Sequence, residues 1–294
     1  MLEYNSIAAM VKSADERGLS ISRLVLEDQA LDMEIPEETI LERMRDTLKV
    51  MRRSAEEGLK PDIRSASGIS GGDGYRMQEY WAGGSSLGGS FSARAVTFAL
   101  AIQEYNAAMG KIVAAPTAGS CGILPAGILT MMEQKGIGED EAAMALITAG
   151  AVGLVIANEA TISGAQGGCQ AECGSAAAMT AGVLVELSGG TNEMIAEAAA
   201  MALKNQLGLA CDPVAGLVEV PCIKRNAGGI MCAINAADMA LAGIKSVIPV
   251  DEVIGAMREI GESLPNALRE TAQGGLAVTP TGKAIQERLF GKGL

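Results

Sequence analysis

Three cysteines carry the most specific chemistry in this 294-residue sequence. Cys169, Cys211 and Cys222 each lie in a segment flanked by Gly or Pro. Three thiolates on three loops can converge where helix termini supply partial positive charge, which lowers thiol pKa. The chain has no histidine. A Ser–His triad, a His-ligated zinc or haem site and a His proton shuttle are therefore excluded within it. Any base must be Lys, Asp, Glu, Tyr, Ser, Cys or a residue of another chain. Soft thiolates without imidazole select iron–sulfur clusters or zinc. Three cysteines do not close a four-ligand structural site. They can hold three corners of a [4Fe-4S] cluster and leave one iron open as a Lewis acid. The other reading is plain packing, since free Cys is often a small buried residue. Spacing alone leaves both standing.

The stretch Cys169-Gln170-Ala171-Glu172-Cys173 resembles the start of a radical-type cluster motif, but position 176, where a third Cys is needed, is Ala. Cys121, Cys173 and Cys232 read as packing residues or neighbours of a cluster. Six cysteines in a chain of this size, with a polar N-terminus lacking a signal-peptide core, point to thiol or metal chemistry rather than disulfides. A cytoplasmic location is the expectation.

These residues must be positioned by helices. Hydrophobic residues make up 49% of the chain and aromatics 3%, so the core is built from Ala, Leu, Ile, Val and Met. Period-3.6 patterns dominate and predict a mainly α fold, a single Ala/Gly-rich helical domain spanning 1–294 with a charged helical subregion over 1–60. A first helix begins at Pro36, runs through the stripe Ile40, Met44, Leu48 and Met51, and ends at Gly58. Further helices are expected at 93–109, 125–135, 139–158, 174–188, 192–207, 229–246 and 251–260. Lys111 to Ala114 is the only short strand signal. The apolar run Ala142 to Ala157 is shorter than a bilayer span and reads as a buried core helix. Between helices lie Gly-rich loops at 65–92, 114–127, 160–176 and 208–229, whose amides can turn toward an anion. A net charge of −12 with one Trp disfavours nucleic acid and anionic membranes as partners.

PTAGSCGILPAG at 116–127, SGAQGGCQAE at 163–172 and CDPVAGLVEVPCIKRN at 211–226 together resemble the iron–sulfur-dependent L-serine dehydratases. The chain looks like the alpha subunit of the two-chain form, over nearly its whole length and including SGGDGYR at 70–76. The resemblance implies a mostly helical catalytic domain and a separate beta subunit in a heterodimer. It also implies an oxygen-sensitive [4Fe-4S] cluster on Cys169, Cys211 and Cys222. The implied reaction takes L-serine to pyruvate and ammonia, a step of serine catabolism that feeds gluconeogenesis.

On that reading an open iron eases departure of the β-hydroxyl while a base removes the Cα proton. Lys224, Ser120 and Ser163 are the candidate catalytic residues, with a beta-subunit histidine as a further source of the base. Lys224 can equally sit in an ion pair. Thr117, Ser120, Ser163, Arg225 and Asn226 are candidate donors to substrate. Tyr75 and Arg76 can close over it or anchor a surface loop, with Asp73 a turn residue. Glu172 can orient the ammonium or cap a helix. Competing readings are an L-cysteine desulfidase-type lyase on the same cluster, a pyridoxal-phosphate lyase, and a cluster-based redox sensor or electron carrier.

Overall fold

Ala-rich interiors and apolar stripes at helical spacing leave little for strands to use, and helices are what form. The computed structural model describes residues 4–84 and 86–291. Among them are thirteen α-helices and no strand. In chain order they are α1 (Ile7–Arg17), α2 (Ile21–Asp32), α3 (Glu37–Gly58), α4 (Asp73–Ala82), α5 (Gly89–Ala107), α6 (Ile123–Lys135), α7 (Glu139–Glu159), α8 (Gly164–Gly167), α9 (Ser175–Leu187), α10 (Asn192–Lys204), α11 (Cys222–Leu241), α12 (Val250–Ser263) and α13 (Pro280–Phe290). The mainly α expectation is met.

The core is organised around α9, in which every residue from Ser175 to Val185 is buried. Helices α6, α7, α10 and α11 ring it. Small side chains permit this. At Gly127 of α6 an added Cβ would stand 2.6 Å from Thr180 of α9. The larger residues fill the remaining space, and each buried Ile, Leu or Val contributes about 1.5–3 kcal/mol. Helix α5 packs against α3, α4, α6 and α11. The charged N-terminal helices lie on the same core, α2 and α3 against α7 and α1 against α10. Asp251 on α12 fastens the start of α1, accepting from the Ile7 and Ala8 amides at 2.8 and 3.1 Å.

Several boundaries differ from expectation for physical reasons. Pro36 is the N-cap of α3 rather than its first residue. Helix α7 is longer than its apolar run because Glu139, Asp140 and Glu141 open it favourably at the dipole's positive end. Among the described residues it is the one helix long and apolar enough to cross a membrane, and 67% of its most apolar window is buried. Helix α11 starts at Cys222, seven residues before the expected 229, and ends at Leu241. Its glycines are packing positions: a Cβ at Gly229 would lie 2.4 Å from Ile123 Cδ1, so α6 and α11 meet there. Helix α4 arises inside the expected loop 65–92. The buried Glu104 carboxylate accepts from the Asp73 and Gly74 amides at 2.8 and 3.0 Å and caps it from α5. Residues 111–114 are not a strand. The only isolated β-bridge among the described residues joins Cys211 to Arg269.

Candidate active site

Cys169, Cys211 and Cys222 come from three segments into one neighbourhood. Cys169 precedes a π-helical turn, Gln170–Gly174, that continues into α9. Cys222 is the first residue of α11. Cys211 lies in the extended stretch between α10 and α11. They are 3%, 3% and 7% exposed in sequence order.

Their electrostatics are shared. Burial raises the Cys211 thiol first, and Cys169, Glu172, Glu270 and Cys222 add to it. Burial also pushes Cys222 up to about 12, with Cys169 and Glu172 contributing. Cys169 shifts the other way. Cys173, with its Sγ 3.4 Å distant, stabilises the Cys169 thiolate, and the Arg225 guanidinium helps against burial. Cys222 opens α11, and burial still holds its thiol high.

Glu172 stands among the thiols. Thr117 Oγ1 donates to its Oε1 at 2.6 Å, and Cys211 Sγ lies 3.8 Å from its Oε2. Burial raises this carboxyl despite the Thr117 bond. Two glycines give it room. An added Cβ would stand 2.8 Å from the carboxylate at Gly119 and 2.6 Å at Gly164, and the latter also 3.1 Å from Cys211 Sγ. Ser120 is fully buried, with its hydroxyl 3.3 Å from Thr117 Oγ1. Ser163 sits at the N-terminus of α8, where Thr161 Oγ1 accepts from its amide at 3.1 Å. Thr117, Ser120, Ser163 and the three cysteines are thus brought into one region around Glu172.

Other expected site residues have structural partners. Asn226 is fully buried on α11. Its Nδ2 donates to the Gly119 and Cys222 carbonyls at 2.8 and 2.9 Å, and its Oδ1 accepts from the Gly122 amide at 2.8 Å. Arg225 donates to the Ala210 carbonyl at 2.7 Å and to Asp212 Oδ1 at 2.8 Å. Lys224 points outward and pairs with Asp73, which also holds Arg76. These two cations keep the Asp73 carboxyl below its usual range, although its partial burial opposes them. Cys121 donates to Gln103 Oε1 at 2.9 Å, and Cys232 faces the Ala202 carbonyl at 3.5 Å.

The segment that steadies Cys211 was not visible in the sequence. The Cys211 amide donates to the Leu268 carbonyl at 2.8 Å, and its carbonyl accepts from the Glu270 amide at 2.7 Å. Asp212 Oδ2 accepts from the Leu276 amide at 2.8 Å. A Cβ at Gly275, where φ is +58°, would lie 2.3 Å from that same oxygen. Residues more than fifty positions apart meet here, so no local pattern announces them.

Among the described residues, no three His, Cys, Asp or Glu side chains are grouped tightly enough to share one metal ion. A lone zinc does not suit this spacing. Three thiols without imidazole suit an iron–sulfur group.

Comparison with known proteins gives a consistent answer. Residues 16–277 match the family described as "Serine dehydratase alpha chain". The chain is 49% identical to the "Probable L-serine dehydratase, alpha chain" of Bacillus subtilis, covering 99% of this chain and 97% of that one. It is 43% identical to the "L-serine dehydratase, alpha chain" of Peptoniphilus asaccharolyticus, covering 98% and 99%. It is also 46% identical to "L-serine dehydratase 1" of Escherichia coli over 62% of this chain and 40% of that longer one. The chain belongs to the serine dehydratase alpha chain family.

Proposed function

We propose that this chain is the alpha subunit of an iron–sulfur L-serine dehydratase, a carbon–nitrogen lyase that works with a separate beta subunit. The observation that carries the reading is the meeting of Cys169, Cys211 and Cys222 around Glu172, in a chain of this family. On this reading the three cysteines hold a [4Fe-4S] cluster, which supplies a Lewis-acidic iron when bound.

The chain's own residues then divide the remaining work. Arg225 stabilises the Cys169 thiolate and, through Asp212, keeps the Cys211 segment in place. Glu172, held by Thr117, offers its carboxylate to the substrate ammonium. Ser120, 3.3 Å from Thr117 Oγ1, and Ser163, next to Gly164 beside Glu172, supply hydroxyls for substrate oxygens on this reading. Lys224 is engaged by Asp73 at the surface, so Cα proton removal falls to Ser120, Ser163 or a residue of the beta subunit. Asn226 holds the 118–122 turn against α11 and thereby positions Thr117 and Ser120.

The test is iron and acid-labile sulfide per chain after anaerobic reconstitution, followed by L-serine turnover with the beta subunit. About four iron and four sulfide are expected. Serine at Cys169, Cys211 or Cys222 should abolish them, and serine at Cys121 or Cys232 should not. Folded, reconstituted chain holding no iron or sulfide would end the reading.

A further inference from the structure

Basic residues are outnumbered in this chain, 23 to 35. Its arginines accordingly gather carboxylates. Arg23 holds Glu27 and Glu37, and Arg45 holds Glu38 and Asp140. One cleft inverts that ratio. Between the segment leading into α4 and the start of α11 lies a cavity of ≈ 360 Å³, lined by Arg64, Ser70, Asp73, Arg76, Val220 and Lys224 among others. Three cations and one carboxylate line it, with Glu219 and Glu104 behind the lining. Asp73 pairs with both Arg76 and Lys224. Arg64 has no carboxylate partner among the described residues, and its Nη1 donates to the Ile63 carbonyl at 2.7 Å.

The two guanidiniums converge over Gly72. The point where a Cβ would stand is 3.4 Å from Arg64 Nη1 and 3.5 Å from Arg76 Nη1. Like charges held this way repel until an anion lies between them. A guanidinium pair matches the two oxygens of a carboxylate. Among the lining side chains cations outnumber the carboxylate, which favours an anion over a ligand that also carries an ammonium. Ser70 Oγ, which donates to the buried Glu219 at 2.5 Å, fixes the loop that frames the cleft.

We infer that this cleft binds the carboxylate of a small organic acid lacking an amino group, between the guanidiniums of Arg64 and Arg76. The choice of a 2-oxo acid as ligand rests on the proposed reaction, whose product is one. The bound anion would lie beside the turn from Val220 to Lys224 that carries Cys222.

Isothermal titration of the full-length chain with pyruvate, L-serine and inorganic phosphate tests this. Pyruvate should bind saturably, and Arg64→Gln or Arg76→Gln should each weaken it about tenfold, the scale of one charge-assisted hydrogen bond. Added salt should weaken it as well. Any L-serine binding should be indifferent to Arg64→Gln. Absence of saturable pyruvate binding would overturn the inference. So would unchanged affinity in both variants with unchanged circular dichroism, or phosphate binding as tightly as pyruvate. No turnover is needed, so a chain that binds pyruvate but has no activity on L-serine would sink the proposed function and leave this site intact.

Discussion

Replacing Asn226 with Ala separates a residue that contacts substrate from one that builds the site. The amide makes three buried hydrogen bonds, two of which satisfy groups of the turn before α6: the Gly119 carbonyl and the Gly122 amide. The third goes to the Cys222 carbonyl, one turn back in α11. Alanine leaves the first two without partners in a region closed to water. Each such group costs about 1–3 kcal/mol, so the loss is roughly 2–6 kcal/mol. For a chain of this size that lowers Tm by roughly 3–10 °C. Asn226→Asp should fare no better. It keeps an acceptor for Gly122 but turns an oxygen toward the Gly119 and Cys222 carbonyls. The assay is thermal unfolding of metal-free protein, in which neither substrate nor cluster contributes, followed by KM and kcat for L-serine. A Tm within about 1 °C of the parent together with a raised KM would refute the reasoning, because the side chain would then act on substrate alone.

Two other substitutions probe different parts of the chain. Gly164→Ala puts a methyl 2.6 Å from Glu172 and 3.1 Å from Cys211 Sγ. It should cost about 1–3 kcal/mol by overpacking and reduce iron retention, measured by unfolding and metal content; normal values for both would show that the Glu172 pocket has slack. Glu186 is the pH probe. Burial raises its carboxyl beyond what the hydrogen bond from Ser22 recovers. The folded state therefore binds a proton more tightly than the unfolded chain, and stability falls as pH rises from the ordinary carboxyl range through the raised value. Glu186→Gln, permanently neutral, should flatten that slope in a Tm-versus-pH series and raise Tm at pH 8. An unchanged slope would show that Glu186 does not contribute to it.

The parts of the fold set by local pattern were legible. The helices from α5 to α7, α9, α10 and α12 follow from apolar periodicity, with ends within a few residues. The misread ends have tertiary causes. Gly229 looks like a helix breaker until Ile123 is seen occupying the space beside it. The start of α4 depends on Glu104, thirty residues away. The site divides the same way. Cysteines, Thr117 and Ser120 stood out because they lie in distinctive loops, and the resemblance grouped them. Asn226 and Arg225 lie in those same motifs, yet Asn226 serves only backbone, and Arg225 serves the Ala210 carbonyl and Asp212 as well as the Cys169 thiolate. Residue type and proximity in sequence do not show which way a side chain is already committed. Lys224 illustrates it most simply: two positions from Cys222, it faces solvent and Asp73.

The strap from Leu268 to Leu276 across Cys211 and Asp212 has a consequence for biogenesis. During synthesis the segments bearing Cys169 and Cys222 leave the ribosome well before residue 276. Helices α9 and α11 can form then, yet the Cys211 segment has nothing to lie against. The complete set of thiols exists only after the strap has been made and has closed. On the proposed cluster, iron and sulfide would find their three thiols in place only once this strap has closed, and a chain shortened before Leu268 would leave the Cys211 segment without its partners.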